Sequence, residues 1–258
     1  MSGQVLVLGG TGEARRLAAA LVAGGVDVLS SLAGRVADPL LPVGGVRVGG
    51  FGGADGLADW LAAHRPAAVV DATHPFAARI TANAAAAARR RGVRLLRLQR
   101  PGWTPGPGDR WTHVDSLADA ADAVRGAGTV FLTTGRQGVA AFAALPGRVL
   151  VRAVDPPDEP LPAGAVLLLA RGPFTVDEEV ALMREHGVGV VVTKDSGGHM
   201  TEAKLVAARR LGLPVVLVRR PPLPPGVEVV STVEEAVRWV DASRRRGAGT
   251  EDGPSSDQ

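Results

Sequence analysis

AAVVDATHPFAARITANAAAAARRRGVRLLRLQRP (67–101) and GVGVVVTKDSGGHMTEAKLVAARRLGLPVVLVRRP (187–221) decide the fold. Aligned end to end, Thr81 falls on Thr201, Ala87-Ala88-Arg89-Arg90 on Ala207-Ala208-Arg209-Arg210, Gly92 on Gly212, and Arg100-Pro101 on Arg220-Pro221. Each copy reads as an apolar strand, a polar loop, a helix, a glycine, a second strand and an Arg-Pro pair. The Val/Leu runs are near-continuous, as parallel strands buried on both faces require. The likeness resumes at Val114-Asp115-Ser116-Leu117 and Val230-Ser231-Thr232-Val233, each a short strand, a cap and a helix start. The pattern predicts an α/β protein of two Rossmann-like, doubly wound parallel-sheet halves related by duplication, with a cleft between them.

Outward from the repeat, strands are expected at 4–8, 26–32, 67–72, 94–99, 129–134, 148–154, 166–170, 189–194 and 214–219. Helices are expected at 12–23, 54–64, 76–91, 117–125, 138–145, 175–186, 201–211 and 233–245. The halves divide as 1–126 and 127–242. Residues 243–258, with no apolar periodicity, read as a disordered tail. Whether the last strand and helix stay with their own half or cross to the other is left open.

Composition narrows the function. The 258 residues are 46% hydrophobic and 21% charged, ordinary for a globular protein. There is no cysteine, which excludes disulfides and thiolate metal sites, and no His-x-x-x-His pair or other metal-ligand spacing occurs. The pI near 10.4 reflects arginine, since Lys194 and Lys204 are the only lysines. Aromatics make up 3% and interleave with no basic stripe, which argues against nucleic acid. Arginine equally suits carboxylates and phosphates of a small anion. No leader pattern and no run of roughly 18 apolar residues is seen, so the expectation is a cytoplasmic protein off the membrane. The oligomeric state is left open, a monomer being compatible.

In such sheets, ligands gather at the carboxyl ends of the strands. Gly9-Gly10-Thr11-Gly12-Glu13 closes the first strand and opens the first helix. Its glycines allow a sharp turn and close approach, and the helix start offers N–H groups and a positive dipole end to a pyrophosphate or the adjoining ribose. The end of the second strand, Ser30-Ser31-Leu32-Ala33-Gly34-Arg35, lacks the acid that NAD enzymes place there, so Ser31 and Arg35 suit the 2′-phosphate of NADPH. Thr73 and His74 follow a strand, with Thr73 toward the cofactor. His74 could donate a proton or hold an anion, and Arg79 lies one turn into the next helix. Later loops carry Gly135-Arg136, Arg171 and Lys194-Asp195-Ser196-Gly197, with Lys204 in the following helix. Cations on several strand-end loops point to a substrate with several carboxylates. The proton donor is unresolved among His74, Asp195, Asp155 and solvent. Each residue alone also suits a plain turn or a solvated charge.

Seven segments together resemble the precorrin-6A reductase family: VLVLGGTGEARRLA (5–18), SLAGR (31–35), GGFGGADGL (49–57), DATHPFA (71–77), LTTGRQG (132–138), RGPF (171–174) and VTKDSGGHMTEAKLVAARRLGLPVVLVRRP (192–221). Asp195 departs from the asparagine more usual there. The resemblance implies a two-domain Rossmann-like reductase of cobalamin biosynthesis, binding NADPH and a tetrapyrrole and forming the dihydro product precorrin-6B. The cobalt-precorrin-6A variant of the anaerobic route, NADH-linked in some readings, is not separated by these motifs. A non-catalytic nucleotide-sensing module is the alternative outside enzymes.

Overall fold

The structure is a computed structural model that describes residues 3–34 and 40–248. The first sheet is built from β1 (Val5–Leu8), β2 (Val28–Leu32), β3 (Gly45–Val48), β4 (Ala68–Asp71), β5 (Leu95–Leu98) and, from far along the chain, β12 (Glu228–Val230). The second holds β6 (Arg110–Val114), β7 (Thr129–Leu132), β8 (Val149–Ala153), β9 (Val166–Leu169), β10 (Val188–Lys194) and β11 (Pro214–Val218). Strand orders are β12-β5-β4-β1-β2-β3 and β6-β11-β10-β7-β8-β9, the same pattern twice. Every pairing is parallel. The fold class is therefore α/β with two Rossmann-like parallel sheets.

Helices cover the sheets because their apolar faces need burial. In the first unit α1 (Gly12–Ala23) and α7 (Val233–Ala248) bury Leu17, Leu21, Ala236 and Val240 against Val5 and Val7. On the other face α2 (Gly53–His64) and α3 (Ala78–Arg91) bury Leu57, Leu61, Ala84 and Ala87 against Leu6 and Leu8. In the second unit α5 (Val176–Glu185) and α6 (Ala203–Arg210) pack Met183 and Leu205 on Phe131 and Val191, while α4 (Leu117–Ala123) lies against β11. No described helix is long and apolar enough to cross a membrane.

Four expectations change. First, the chain does not divide at 126/127. The first unit holds the described residues up to Arg100 and those from Pro222 on, and the second holds Pro101–Pro221. The repeat's two Arg-Pro pairs mark where the chain passes from one unit to the other. Each half thus gives its sixth strand and following helix away. Specific contacts select these partners. Asp109, ahead of β6, takes a two-pronged bond from Arg209 of α6 (2.9 and 2.8 Å), and Arg110 donates to Gly212 O at 2.8 Å. β12 sits beside β5, and Arg94 stacks 4.4 Å from the ring of Trp239 on α7.

Second, β3 appears where the glycine-rich GVRV stretch gave no strand signal. Third, the helix expected at 138–145 is a short 3-10 turn, Val139–Phe142, entered from Gly138 at φ 84°. Fourth, α7 runs through Ala248, into the stretch read as tail. Ser243 is buried there and bonds Trp239 O at 2.7 Å.

Val240→Ala removes two buried methyl groups and should cost about 2 kcal/mol. The expected result in hydrogen exchange is weaker protection of β1, β4 and β5, with β7 and β10 unchanged.

Candidate functional site

In the first unit the loops after β1, β2 and β4 converge through the backbone. Gly9 N donates to Ser31 O and Ala72 N to Leu8 O, both at 2.9 Å. Thr11 caps α1 by accepting from Ala14 N at 3.1 Å, and its hydroxyl donates to Ala72 O at 2.8 Å. Gly10 has φ 108°, and a Cβ built there would meet nothing within 4 Å. Backbone that only glycine adopts easily, open space above it and a helix start beyond it fit a diphosphate.

Glu13 sits in that first turn. Arg100 reaches its carboxylate at 2.7 Å and Arg16 at 3.2 Å. Burial alone would raise its pKa. Its own backbone N–H and the two arginine charges outweigh burial and hold it below the ordinary carboxylate range. An ionised carboxylate is suited to a ribose hydroxyl and unsuited to phosphate oxygens, while Arg100 adds the positive charge that the glycine turn lacks. Arg100 borders the same small recess as Thr11, Thr73 and Pro75.

At the end of β2, Ser31 is in register with Arg47 of β3, whose Nη1 donates to Ser31 Oγ at 2.8 Å. Arg47 also binds Gly49 O and Gly50 O and lies 3.8 Å from the centre of the Phe51 ring. Sequence reasoning missed it because β3 itself was missed. Arg35 lies outside the described residues.

The Thr73-His74 turn rests on a buried ion pair. Asp71, ending β4, and Arg97 of β5 meet at 2.7 Å with both side chains 1% exposed. Moving each charge out of water costs several kcal/mol, which only close pairing and further hydrogen bonds offset. Burial lowers the Arg97 pKa, and the Asp71 charge and hydrogen bond raise it. The Thr73 hydroxyl donates to Asp71 at 2.7 Å and accepts from Arg97 at 3.0 Å, so it points inward. The helix expected from 76 starts at Ala78, because His74 shapes the turn before it. Ala77 N donates to His74 O at 2.8 Å and Phe76 N to His74 Nδ1 at 3.2 Å. With Nδ1 accepting, a neutral ring carries its proton on Nε2. Arg79 is exposed in the first turn of α3.

In the second unit Gly135 and Arg136 follow β7, Asp155 follows β8, Arg171 follows β9, and Lys194–Gly197 close β10, all at one sheet edge. Arg136 stands 3.8 Å from Asp158. Burial lowers the pKa of Lys194. Ser196 N donates to Lys194 O at 2.7 Å. Asp195 accepts from Trp103 N at 3.1 Å and lies 3.5 Å from Arg220 Nε, which also donates to Asp195 O at 2.8 Å. Gly197 has φ 64°, and a Cβ there would come within 2.1 Å of Pro101 O, so glycine is a packing requirement.

Lys204 does not reach out from α6. It is buried, donates to Thr201 O and lies 5.0 Å from the Trp103 ring centre. Desolvation first, then the nearby Arg152 charge, lower its pKa to about 7 against a partial offset from Glu179. Glu179 is itself buried and paired with Arg152 at 2.7 Å. Among the described residues no group of three or more His, Asp or Glu could hold a metal ion.

Fold and turn together define a Rossmann-like protein whose first strand runs through a glycine turn into a helix start. A family model described as "Precorrin-6x reductase CbiJ/CobK" matches residues 4–241. A precorrin-6A reductase of Rhodococcus erythropolis is 60% identical over 246 residues, covering 94% of this chain and 99% of the relative. A cobalt-precorrin-6A reductase of Priestia megaterium is 32% identical over 248 residues, covering 90% and 96%. The solved structure titled "CobK precorrin-6A reductase" superposes with a TM-score of 0.87 at 45% identity, over 93% of this chain and 97% of that one. The chain belongs to the precorrin-6A reductase family of cobalamin biosynthesis. Its members are oxidoreductases, and the reaction implies a nicotinamide cofactor and a tetrapyrrole substrate.

Lys204 yields a pH test. Below pH 7 its ammonium is charged in both folded and unfolded chains, and the full desolvation cost is present. Between about 7 and the ordinary lysine value the unfolded chain holds a proton that the folded one has released, so stability rises with pH. The melting midpoint of wild type relative to Lys204→Met should therefore climb as pH rises above 7. A flat difference would mean that the ammonium is not desolvated.

Proposed function

We propose that the chain reduces metal-free precorrin-6A to the dihydro product precorrin-6B with NADPH, in the cytoplasm, the first unit holding the cofactor. The observation that carries the cofactor choice is the acid-free end of β2 with Arg47 on Ser31 at 2.8 Å. A carboxylate there would bond a ribose hydroxyl and repel a 2′-phosphate, whereas a serine hydroxyl beside a guanidinium favours the phosphate. Arg35 would add a second cation to the same loop. Relatives named for the metal-free substrate are 46–60% identical to this chain, against 32% for those named for the cobalt form, which favours metal-free precorrin-6A.

NADPH supplies the hydride. The chain's own residues bind and orient. Gly10, Thr11 and Gly12 present backbone N–H groups to the diphosphate, and Glu13 accepts from a ribose hydroxyl. In the second unit Arg136, Arg171 and Lys194 draw in substrate carboxylates, and in the first Arg79 is an exposed cation. Among the candidate proton donors His74 comes first, because its Nδ1 accepts from Phe76 and directs the ring proton to Nε2. Asp195 is already engaged by Trp103 and Arg220. Lys204 acts from below, supporting the loop at Thr201.

An arginine–phosphate contact is worth roughly 1.5–3 kcal/mol, about 10- to 100-fold in affinity. Arg35→Ala and Arg47→Gln are each expected to raise the KM for NADPH about ten-fold or more, with NADH changed less than about two-fold. An unchanged NADPH-to-NADH preference in both variants would remove the 2′-phosphate assignment.

A further inference from the structure

We infer that the buried Asp71–Arg97 pair is a positioning device for the Thr73-His74 turn, aiming the turn's backbone at the ligands as well as joining β4 to β5. The two residues are in register on neighbouring strands, so a simple staple is the competing explanation. What distinguishes the pair is where its remaining bonds go.

Every polar atom of Thr73 ends on it. Thr73 N donates to Asp71 Oδ1 at 3.1 Å, and Thr73 Oγ1 donates to the same oxygen at 2.7 Å. Arg97 Nη1 donates to Thr73 Oγ1 and Nη2 to Thr73 O, both at 3.0 Å. Arg97 Nε is taken by Gln99 at 3.2 Å, which fixes the plane of the guanidinium. Thr73 is thereby held before and after its Cα, and the next residue is His74. Asp71 Oδ2 accepts from Thr81 Oγ1 at 2.6 Å, tying the carboxylate to α3 without touching the turn.

A staple would be served as well by two apolar side chains, since a buried ion pair seldom outdoes a well-packed hydrophobic pair. It would not need a planar fork able to reach a hydroxyl and a carbonyl together, which arginine has and lysine lacks.

This inference rests on the reading that the turn serves cofactor or substrate. The test compares Arg97→Lys with Thr81→Val. The first keeps the charge opposite Asp71 but loses the fork onto Thr73. The second removes one buried donor from the same carboxylate and leaves every bond of Thr73. Both should lower the melting midpoint. Arg97→Lys is expected to reduce kcat/KM for precorrin-6A at least about ten-fold, and Thr81→Val to keep it within about two-fold. Thr73→Ser should retain activity and Thr73→Val lose it, a comparison that stands even where Arg97→Lys fails to fold. Wild-type kcat/KM in Arg97→Lys, equal losses in Arg97→Lys and Thr81→Val, or full activity in Thr73→Val would overturn the inference. The assays use whichever nicotinamide cofactor the wild type consumes. A wild type preferring NADH would overturn the NADPH reading and leave this comparison intact.

Discussion

Asp71 and Arg97 meet inside a parallel sheet, where neither charge has water to fall back on. That constraint organises the first unit's ligand edge. The carboxylate must collect donors and the guanidinium must find acceptors, and Thr73 supplies both, beside Thr81 for the carboxylate and Gln99 for the guanidinium. The turn is bent by this demand, α3 is delayed to Ala78, and His74 is left with its Nδ1 facing Phe76 N. The glycine turn joins the same frame where Thr11 donates to Ala72 O.

The second unit repeats the sheet order but supports its loop by other means. Position 84 is alanine in α3, and its repeat counterpart is Lys204 in α6. That lysine, buried with Arg152 and Glu179, supports the loop after β10 from beneath. Trp103 and Arg220 hold Asp195 from the sides. Both copies thus bury an anion–cation pair, Asp71–Arg97 in one and Arg152–Glu179 in the other, and the second adds the buried Lys204.

Much of this was visible in the sequence because it depends on local pattern. The Val/Leu runs gave the strands, and the shifted likeness gave two equivalent sheets. The glycine turn, Ser31, His74 and the cationic loops stood at strand ends, where chain order alone places them. What was hidden depends on pairing across the sheet. Asp71 and Arg97 look like ordinary strand-end and strand residues until β4 and β5 are set in register. Arg47 sits in a four-residue strand with too little apolar signal to declare itself. The exchange of β6 and β12 could not be read locally, since both copies carry the same strand and helix; the Asp109–Arg209 and Arg94–Trp239 contacts decide it. The 138–145 stretch has helical composition, yet only Val139–Phe142 turns, as a 3-10 helix entered from Gly138 at φ 84°.

The proposed reaction, reduction of the metal-free macrocycle at the expense of NADPH, is open to direct assay. The most direct measurement is anaerobic incubation of the purified protein with precorrin-6A and NADPH, following cofactor absorbance and product mass together. The expected result is one NADPH oxidised for each macrocycle and a product heavier by two hydrogens. Tight binding of both compounds with no oxidation of NADPH would contradict it.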